Sequence, residues 1–230
     1  RTGDAVVGVD LGIYKLATLS TGEVVASRRP LQRRLKRLKR LQQAHARKVK
    51  GSENRRKSAQ RIAKMHWKVK NTRNDGLHKL TTRLCRESQA VVTEDLNVRG
   101  MLKNRKLSRA ISDVGWGEFR RQLTYKAPLY RTRIVVADRF FPSSKTCSAC
   151  GCVHGNLTLS DRTFCCPTCG FTIDRDVNAA INLAALAAGR AQSVREQPEG
   201  TGVRHPLADA VGPPREEPLA QPHRRETVSR

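Results

Sequence analysis

The feature that most constrains the fold of this chain is a pair of Cys-x-x-Cys motifs. Cys147 and Cys150 form the first motif, and Cys166 and Cys169 form the second after fifteen intervening residues. Each motif places two thiolates on one tight turn, and two facing turns supply the four tetrahedral ligands of a structural Zn²⁺ site. The spacing therefore predicts a zinc ribbon at residues 143–173, whose closed metal site holds shape and performs no chemistry.

The four cysteines also allow other chemistry. They could form two disulfides in any of three pairings, or a redox-active Cys-x-x-Cys pair. The sequence shows no long apolar run, signal peptide or lipidation motif, so we expect a cytoplasmic protein without a membrane partner. In such a protein cysteines favour metal over disulfides. Cys152 and Cys165 lie beside the predicted ligands and complicate the assignment.

The charge of the chain is strongly basic and unevenly distributed. Lysine and arginine number 45 against 20 acidic residues, which gives a formal net charge of +25. Residues 28–86 alone carry 22 basic residues against two acidic ones, a net of +20. A block of this density is typical of a surface that binds a phosphate backbone, although charge runs also occur as solvated faces. We therefore predict a nucleic-acid partner.

The same basic block has helical periodicity. Pro30 begins a stretch with leucines at helical spacing, Gly51-Ser52 interrupts it, and a second apolar stripe runs from about residue 54 to 86. We predict two helices joined by a short turn, forming a basic helical arm at 28–86. The candidate nucleic-acid contacts on its free faces are Arg33, Arg37, Arg40, Lys64 and Lys68. Trp67 could stack on a base or pack internally.

Carboxylates follow two short apolar runs that read as strands. Residues 5–9 end on Asp10, and residues 90–93 end on Glu94. By itself Asp10 could be an ordinary turn aspartate. If the two strands are neighbours in one sheet, however, their C-terminal ends lie together and bring Asp10 close to Glu94.

A third carboxylate follows the second cysteine pair. Asp176 lies at the start of an alanine-rich helix, and Asp174 is the less favoured alternative. Three carboxylates from separate elements suit Mg²⁺, which prefers hard oxygen ligands and retains several waters. The pattern therefore predicts a magnesium-dependent phosphodiester-cleaving site.

Four sequence blocks carry a family resemblance. GVDLG, VTEDLNV, FFPSSKTCSACG and CCPTCGFTIDRDVNAAINL resemble, in order and spacing, blocks of the TnpB-type proteins of insertion sequences. These proteins are also described as OrfB-type transposases, and they are similar to the type V CRISPR effector nucleases. The resemblance covers roughly residues 5 to 188. It implies an α/β fold, an RNase H-like (RuvC-like) mixed sheet with a long basic helical insert and an inserted zinc ribbon.

The resemblance also implies a domain organisation. The nuclease core would comprise residues 1–27, 87–142 and 174–189, with the arm and the ribbon inserted between its parts. The family's N-terminal part would be missing, since only nine residues precede Asp10. Residues 190–230 are rich in proline and charge with few large apolar side chains, so we predict a disordered tail there.

The function implied by the resemblance is RNA-guided cleavage of DNA, associated with DNA transposition. Asp10, Glu94 and Asp176 would be the catalytic Mg²⁺ ligands, and the four cysteines of the two motifs would bind zinc. The partners would be DNA, a guide RNA and a partner transposase that supplies strand transfer. The alternatives are a truncated DNA- or RNA-binding zinc-ribbon protein without catalysis, and a structural zinc protein that binds acidic partners or ribosomal RNA.

Overall fold

A computed structural model describes residues 6–158, 160–187, 189 and 194–196 of the protein. The described helices and strands are, in chain order, β1 (Val6–Leu11), β2 (Lys15–Leu19), β3 (Val24–Ala26), α1 (Pro30–Ala46), α2 (Glu53–Glu87), β4 (Ala90–Glu94), α3 (Val98–Met101), α4 (Ser108–Val114), α5 (Trp116–Tyr130), β5 (Arg133–Ala137), β6 (Thr163–Cys165), β7 (Thr172–Asp174), α6 (Arg175–Ala187) and β8 (Val194–Glu196). The larger sheet has the strand order β3-β2-β1-β4-β5-β8.

The larger sheet is mixed, as the sequence predicted for an α/β fold. Strands β1, β4 and β5 are parallel neighbours, whereas β2, β3 and β8 join antiparallel. In the parallel register Gly8 lies opposite Val92, and Glu94 lies opposite Ala137. Parallel neighbours end at the same edge of the sheet, so the residues that terminate β1, β4 and β5 lie along one edge.

Helix α6 packs against this sheet at an unusually close approach to β1. A Cβ atom added at Gly8 would lie 1.9 Å from the carbonyl oxygen of Ala180 and 2.6 Å from the backbone nitrogen of Ala184. Ala179 and Ala180 are buried in the same contact. A larger side chain on either surface would push the two backbones apart. Glycine on the strand and alanine on the helix therefore permit the close approach.

Helices α2 and α5 provide the main hydrophobic core. The largest cluster of buried side chains combines residues of β1, β2 and β4 with α2, α4 and α5, and includes Val9, Leu77, Val91, Phe119 and Leu123. A smaller cluster joins β4 and β5 to α6. The sheet is therefore covered by apolar packing that fixes the strand ends.

The basic arm consists of α1 and the first half of α2, joined by residues 47–52. Ser52 caps α2 by accepting a hydrogen bond from the backbone N–H of Arg55. Leu38, Met65 and Val69 are buried, as the predicted apolar stripes require. Helix α2 continues through Gly76, because buried side chains on both sides of Gly76 hold it to the core.

A buried carboxylate anchors the first turn of α1. Asp113 is 3% exposed, and its two oxygens accept hydrogen bonds from the backbone N–H groups of Leu31 (2.8 Å) and Gln32 (2.9 Å). The guanidinium of Arg73 donates to the Asp113 carbonyl oxygen at 2.9 Å. Asp113 therefore serves the helix-capping role from a distant part of the chain, since the residue before Pro30 provides no side-chain cap.

The segment after Glu94 contains two short helices, α3 and α4. Helix α4 buries Ile111 and Val114 in the main core. Helices of four and seven residues are too short to show a reliable apolar repeat in the sequence. Helix α5 extends two residues past Pro128, which lies in its last turn.

The predicted disordered tail contains a strand. Residues Val194–Glu196 pair antiparallel with β5, and backbone pairing with a sheet edge needs no apolar pattern. The rest of 190–230 lies outside the described residues. None of the helices that the structure describes combines the length and apolar character needed to cross a bilayer.

Candidate active site and cysteine centre

The three predicted catalytic carboxylates lie at one site. Asp10 lies near the end of β1, Glu94 ends the neighbouring β4, and Asp176 lies in the first turn of α6. All three line one open cavity of about 740 Å³, together with Lys15 and Trp116. The parallel register of β1 and β4 aligns the first two acids, and the close approach of α6 to β1 brings the third.

The carboxylates of this cavity repel one another. Burial, followed by repulsion from Glu94 and Asp176, raises the pKa of Asp10 to about 8. Burial also raises the pKa of Glu94, although a hydrogen bond of 2.9 Å from the Ser143 hydroxyl opposes the shift. Buried like charges of this kind are relieved by a cation among them. The donor set, carboxylate oxygens on an open cavity, therefore fits a hard divalent ion such as Mg²⁺.

Lys15 is a site residue that the sequence analysis missed. Its ammonium lies 3.1 Å from Asp174 Oδ2 and 3.0 Å from Asp176 Oδ2. Partial burial lowers the pKa of Lys15, but the hydrogen bonds to Asp176 and Asp174 outweigh burial and raise the pKa overall. The sequence does contain a signal for this position. Strand β2 begins at Lys15 and runs back along β1, which places the lysine beside the end of β1 that carries Asp10.

Asp174 and Asp176 have different tasks at the start of α6. Asp174 Oδ1 accepts hydrogen bonds from the backbone N–H groups of Asp176 (2.9 Å) and Val177 (3.2 Å), and so caps the helix. Burial raises the pKa of Asp174, but the hydrogen bonds from Lys15 and these N–H groups lower it below its ordinary value. Asp176 lines the cavity, whereas Asp174 is absent from its lining.

Two buried asparagines of α6 hold the segment that leads into the cysteine motifs. Asn178 accepts a hydrogen bond from the backbone N–H of Ser148 (3.0 Å) and donates to the Thr146 carbonyl (2.7 Å). One turn later, Asn182 donates to the carbonyls of Ser143 and Thr146. Since Ser143 also donates to Glu94, helix α6 positions a partner of the second carboxylate as well as carrying the third.

The four motif cysteines form one cluster. Their sulfur atoms all lie within 4.8 Å of one another, with Sγ–Sγ distances of 3.8 Å between Cys147 and Cys169 and 3.6 Å between Cys150 and Cys166. Zn–S bonds of about 2.3 Å in a tetrahedron would place sulfurs about 3.8 Å apart. All four are free thiols, not disulfides. The cluster therefore fits a tetrahedral metal ion.

The two cysteine turns have matching backbone geometry. Gly151 and Gly170 follow the motifs with φ of 78° and 72°, and their N–H groups donate to the carbonyls of Cys147 and Cys166. Backbone N–H groups of Cys169 and Thr168 lower the pKa of the Cys166 thiol to about 6. Backbone N–H groups also lower the pKa values of Cys150 and Cys169, but hydrogen bonds with neighbouring cysteine sulfurs and burial raise them overall. A thiolate is the form that binds metal.

The candidate nucleic-acid contacts of the arm are all exposed. They are Arg33, Arg37, Arg40, Lys64 and Lys68. Among the residues that the structure describes, no ion pair involves any of these five side chains. Trp67 on the same helix is 63% exposed, so it is not packed in the core.

Comparison with known proteins places the chain in a family. A family model described as "Probable transposase" matches residues 1–105, and one described as "Cas12f1-like, TNB domain" matches residues 116–183. A Streptomyces pristinaespiralis protein, named as a candidate RNA-guided DNA endonuclease, is 50% identical over 87% of this chain and 48% of its own length. The similarly named InsQ of Escherichia coli K12 is 40% identical over 81% of this chain and 50% of InsQ.

Two solved structures share the fold. A Cas12f1–sgRNA–target DNA complex contains a chain with a TM-score of 0.55 and 16% identity, over 78% of this chain and 49% of that one. A CRISPR–Cas12f ternary complex contains a chain with a TM-score of 0.57 and 17% identity, over 80% of this chain and 39% of that one.

These matches define the family of the chain. The chain belongs to the TnpB-type, or OrfB-type, family, as its four sequence blocks predicted. It spans about half the length of the curated relatives described above.

The charge of Asp10 predicts a pH-dependent effect on stability. The folded protein keeps the Asp10 proton up to a pKa of about 8, whereas the ordinary value is 3.8. Between these values the unfolded chain binds fewer protons, so stability falls as the pH rises. Without added divalent ions, Asp10→Asn should therefore be more stable than the natural protein at pH 8, by up to about 5 kcal/mol, and the difference should vanish towards pH 4.5.

Urea unfolding between pH 4.5 and 8.5 measures this difference, and Asp95→Asn is the matched control. Burial raises the pKa of Asp95, but hydrogen bonds from Arg120 and Arg139 lower it overall, so this replacement should destabilise the protein across the range. A stability difference for Asp10→Asn that stays constant with pH would contradict the charge state assigned to Asp10.

Proposed function

We propose that this chain forms the catalytic part of an RNA-guided DNA endonuclease with a RuvC-like, RNase H-like core. The observation that supports the proposal most is the convergence of Asp10, Glu94 and Asp176 on one cavity from three separate elements. The core would comprise residues 1–27, 87–142 and 174–189. The relatives' names and the RNA- and DNA-bound structures agree with nucleic-acid partners.

The proposed chemistry is metal-assisted hydrolysis of a phosphodiester. Mg²⁺ bound by the three carboxylates would polarise the phosphate, activate water and stabilise the leaving oxygen. The chain's own residues would orient the site, because Ser143 fixes one oxygen of Glu94 and the Asp174 cap fixes the first turn of α6. Lys15, Arg162 and Arg175 would attract the phosphate, since they line the same cavity.

The basic arm would bind the nucleic-acid backbone. Its five candidate contacts are exposed cations on a block with a net charge of +20. Contacts of this kind supply affinity without base recognition. The arm alone would also suit the alternative function, a DNA- or RNA-binding protein without catalysis. That alternative does not require three carboxylates around one cavity. A role in transposition and a partner transposase stay predictions.

We further propose that the four cysteines bind zinc structurally. Their Sγ separations match a tetrahedral site, and β7 of this unit continues directly into α6. Zinc would therefore fix the start of the helix that carries Asp176. Four protein ligands would leave the ion closed to substrate.

Removal of a catalytic carboxylate should abolish cleavage and preserve binding. The assay uses a chimera in which this chain replaces the matching region of the Streptomyces pristinaespiralis relative, with Mg²⁺ and that relative's guide RNA. Asp10→Ala, Glu94→Ala and Asp176→Ala should each remove cleavage of matched DNA, while affinity for DNA stays equal or rises slightly. Asp174→Ala is the matched control and should lose less. Undiminished cleavage by the Asp10→Ala chimera would disprove the assignment.

Metal analysis tests the zinc proposal. Protein purified without added metal should contain about one zinc per chain, and a chelator should unfold the cysteine unit. Cys147→Ser should lose the zinc, whereas Cys85→Ser should keep it, because Cys85 is buried in the helical core. Zinc below about 0.2 equivalents with free thiols and no bound iron would contradict the proposal.

A further inference from the structure

Two aromatic rings are exposed at the edge of the sheet that carries the carboxylates. Tyr14 is 71% exposed and Phe140 is 87% exposed. Tyr14 lies in the turn between β1 and β2, and Phe140 lies three residues after the end of β5. Aromatic side chains exposed on this scale forgo a large burial free energy, so their presence beside a candidate site points to a ligand.

Tyr14 lies between the carboxylates and the base of the arm. It lines the cavity that contains Asp10, and it immediately precedes Lys15. The guanidinium carbon of Arg29 lies 5.0 Å from the centre of the Tyr14 ring, a cation–π contact. Arg29 precedes α1 in a left-handed conformation with φ of 40°, which few non-glycine residues adopt. One side of the ring is thus covered by a cation, and most of the ring stays open.

Phe140 is held on the opposite side of the carboxylates. Its backbone N–H donates to Asp138 Oδ1 at 2.9 Å, which forms a tight turn after β5. The neighbouring Arg139 contacts Asp95 at 2.6 Å, and Asp95 directly follows Glu94. The Phe140 loop is therefore tied to the strand that ends on the second catalytic carboxylate.

The sheet order places the carboxylates between the two rings. Along this edge the order is the start of β2 beside Tyr14, then Asp10 on β1, Glu94 on β4, and the end of β5 before Phe140. Adjacent strands are about 4.8 Å apart, so the ends of β2 and β5 are separated by roughly 14 Å. At about 3.4 Å per stacked nucleotide, that distance corresponds to roughly four nucleotides of one strand.

We propose that Tyr14 and Phe140 are stacking platforms that hold bases of an unpaired DNA strand on the two sides of the scissile phosphate. This inference rests on the proposed function. Proteins that bind single strands combine a positive groove with aromatic rings that stack on bases. Arg29 supplies positive charge beside Tyr14. Lys15 and Arg139 also lie next to the rings in the chain, and they are ion-paired with Asp176 and Asp95. The strand must be unpaired, because the bases of a duplex already stack on one another and are not available to side chains.

Binding of a fluorescent twelve-residue oligothymidylate to the full 230-residue chain tests the proposal. Ca²⁺ replaces Mg²⁺, so that binding is measured without cleavage. Tyr14→Ala and Phe140→Ala should each weaken binding by about 5- to 150-fold, because stacking contributes about 1–3 kcal/mol per base. Tyr14→Phe should retain most of the affinity. Leu129→Ala is the control. Leu129 is 72% exposed and lies shortly before the start of β5, at the end of that strand away from the carboxylates, so its replacement should have no effect.

An abasic oligonucleotide of equal charge separates stacking from electrostatics. The natural protein should bind the abasic strand as weakly as the Tyr14→Ala, Phe140→Ala double variant binds oligothymidylate, and the double variant should not distinguish the two strands. The slope of log affinity against log salt should stay unchanged, because no charge is removed. Circular dichroism establishes that the variants are folded.

The proposal is wrong if the double variant binds oligothymidylate as tightly as the natural protein. It is also wrong if the natural protein binds the abasic strand equally well, or if only binding of oligouridylate is lost, which would assign the rings to RNA. These outcomes are independent of catalysis. If Asp10→Ala leaves cleavage by the chimera unchanged, the proposed function fails while the stacking measurements stand.

Discussion

The contact between helix α6 and strand β1 is the constraint on which the candidate site depends. At Gly8 the strand has no side chain, and the backbone of α6 fills the space that a Cβ atom would need. This close approach carries the first turn of α6 to the end of β1, where Asp176 joins Asp10 and Glu94 around one cavity. A wider separation of helix and strand would move the third carboxylate away from the other two.

The same helix links the two candidate metal centres. Its start continues from β7 of the cysteine unit, and Asn178 and Asn182 hold the segment that enters this unit. Ser143, in that segment, also contacts Glu94. A structural ion at the cysteines would therefore act on the carboxylates through packing and hydrogen bonds, at a distance from any chemistry.

The carboxylate site carries an electrostatic cost that the rest of the fold must offset. Burial and mutual repulsion raise the pKa of Asp10 to about 8, and the ammonium group of Lys15 lies at hydrogen-bond distance from Asp174 and Asp176. Such opposition between a functional site and stability is common at sites that bind cations. The extensive apolar packing of α2 and α5 supplies the stability on which the site depends.

Local patterns predicted much of the fold, whereas contacts between distant residues were not predictable. The strands that end on Asp10 and Glu94 and the alanine-rich helix at Asp176 were evident, because short apolar runs and helical periodicity are local signals. The cap that Asp113 provides to α1 joins residues about eighty positions apart and leaves no such signal. The salt bridges of Lys15 also depend on tertiary structure.

The most direct test of this account is the affinity for Mn²⁺, used in place of Mg²⁺, of the Gly8→Ala variant measured by calorimetry. The replacement touches no proposed ligand, but the added Cβ would overlap Ala180 of α6. Gly117→Ala is the control, because a Cβ at Gly117 meets no atom within 4 Å. We predict that Gly8→Ala weakens Mn²⁺ binding at least about tenfold while remaining folded, since small displacements of ligands are costly in metal sites, and that Gly117→Ala does not. Equal Mn²⁺ affinity in both variants and the natural protein would contradict the account.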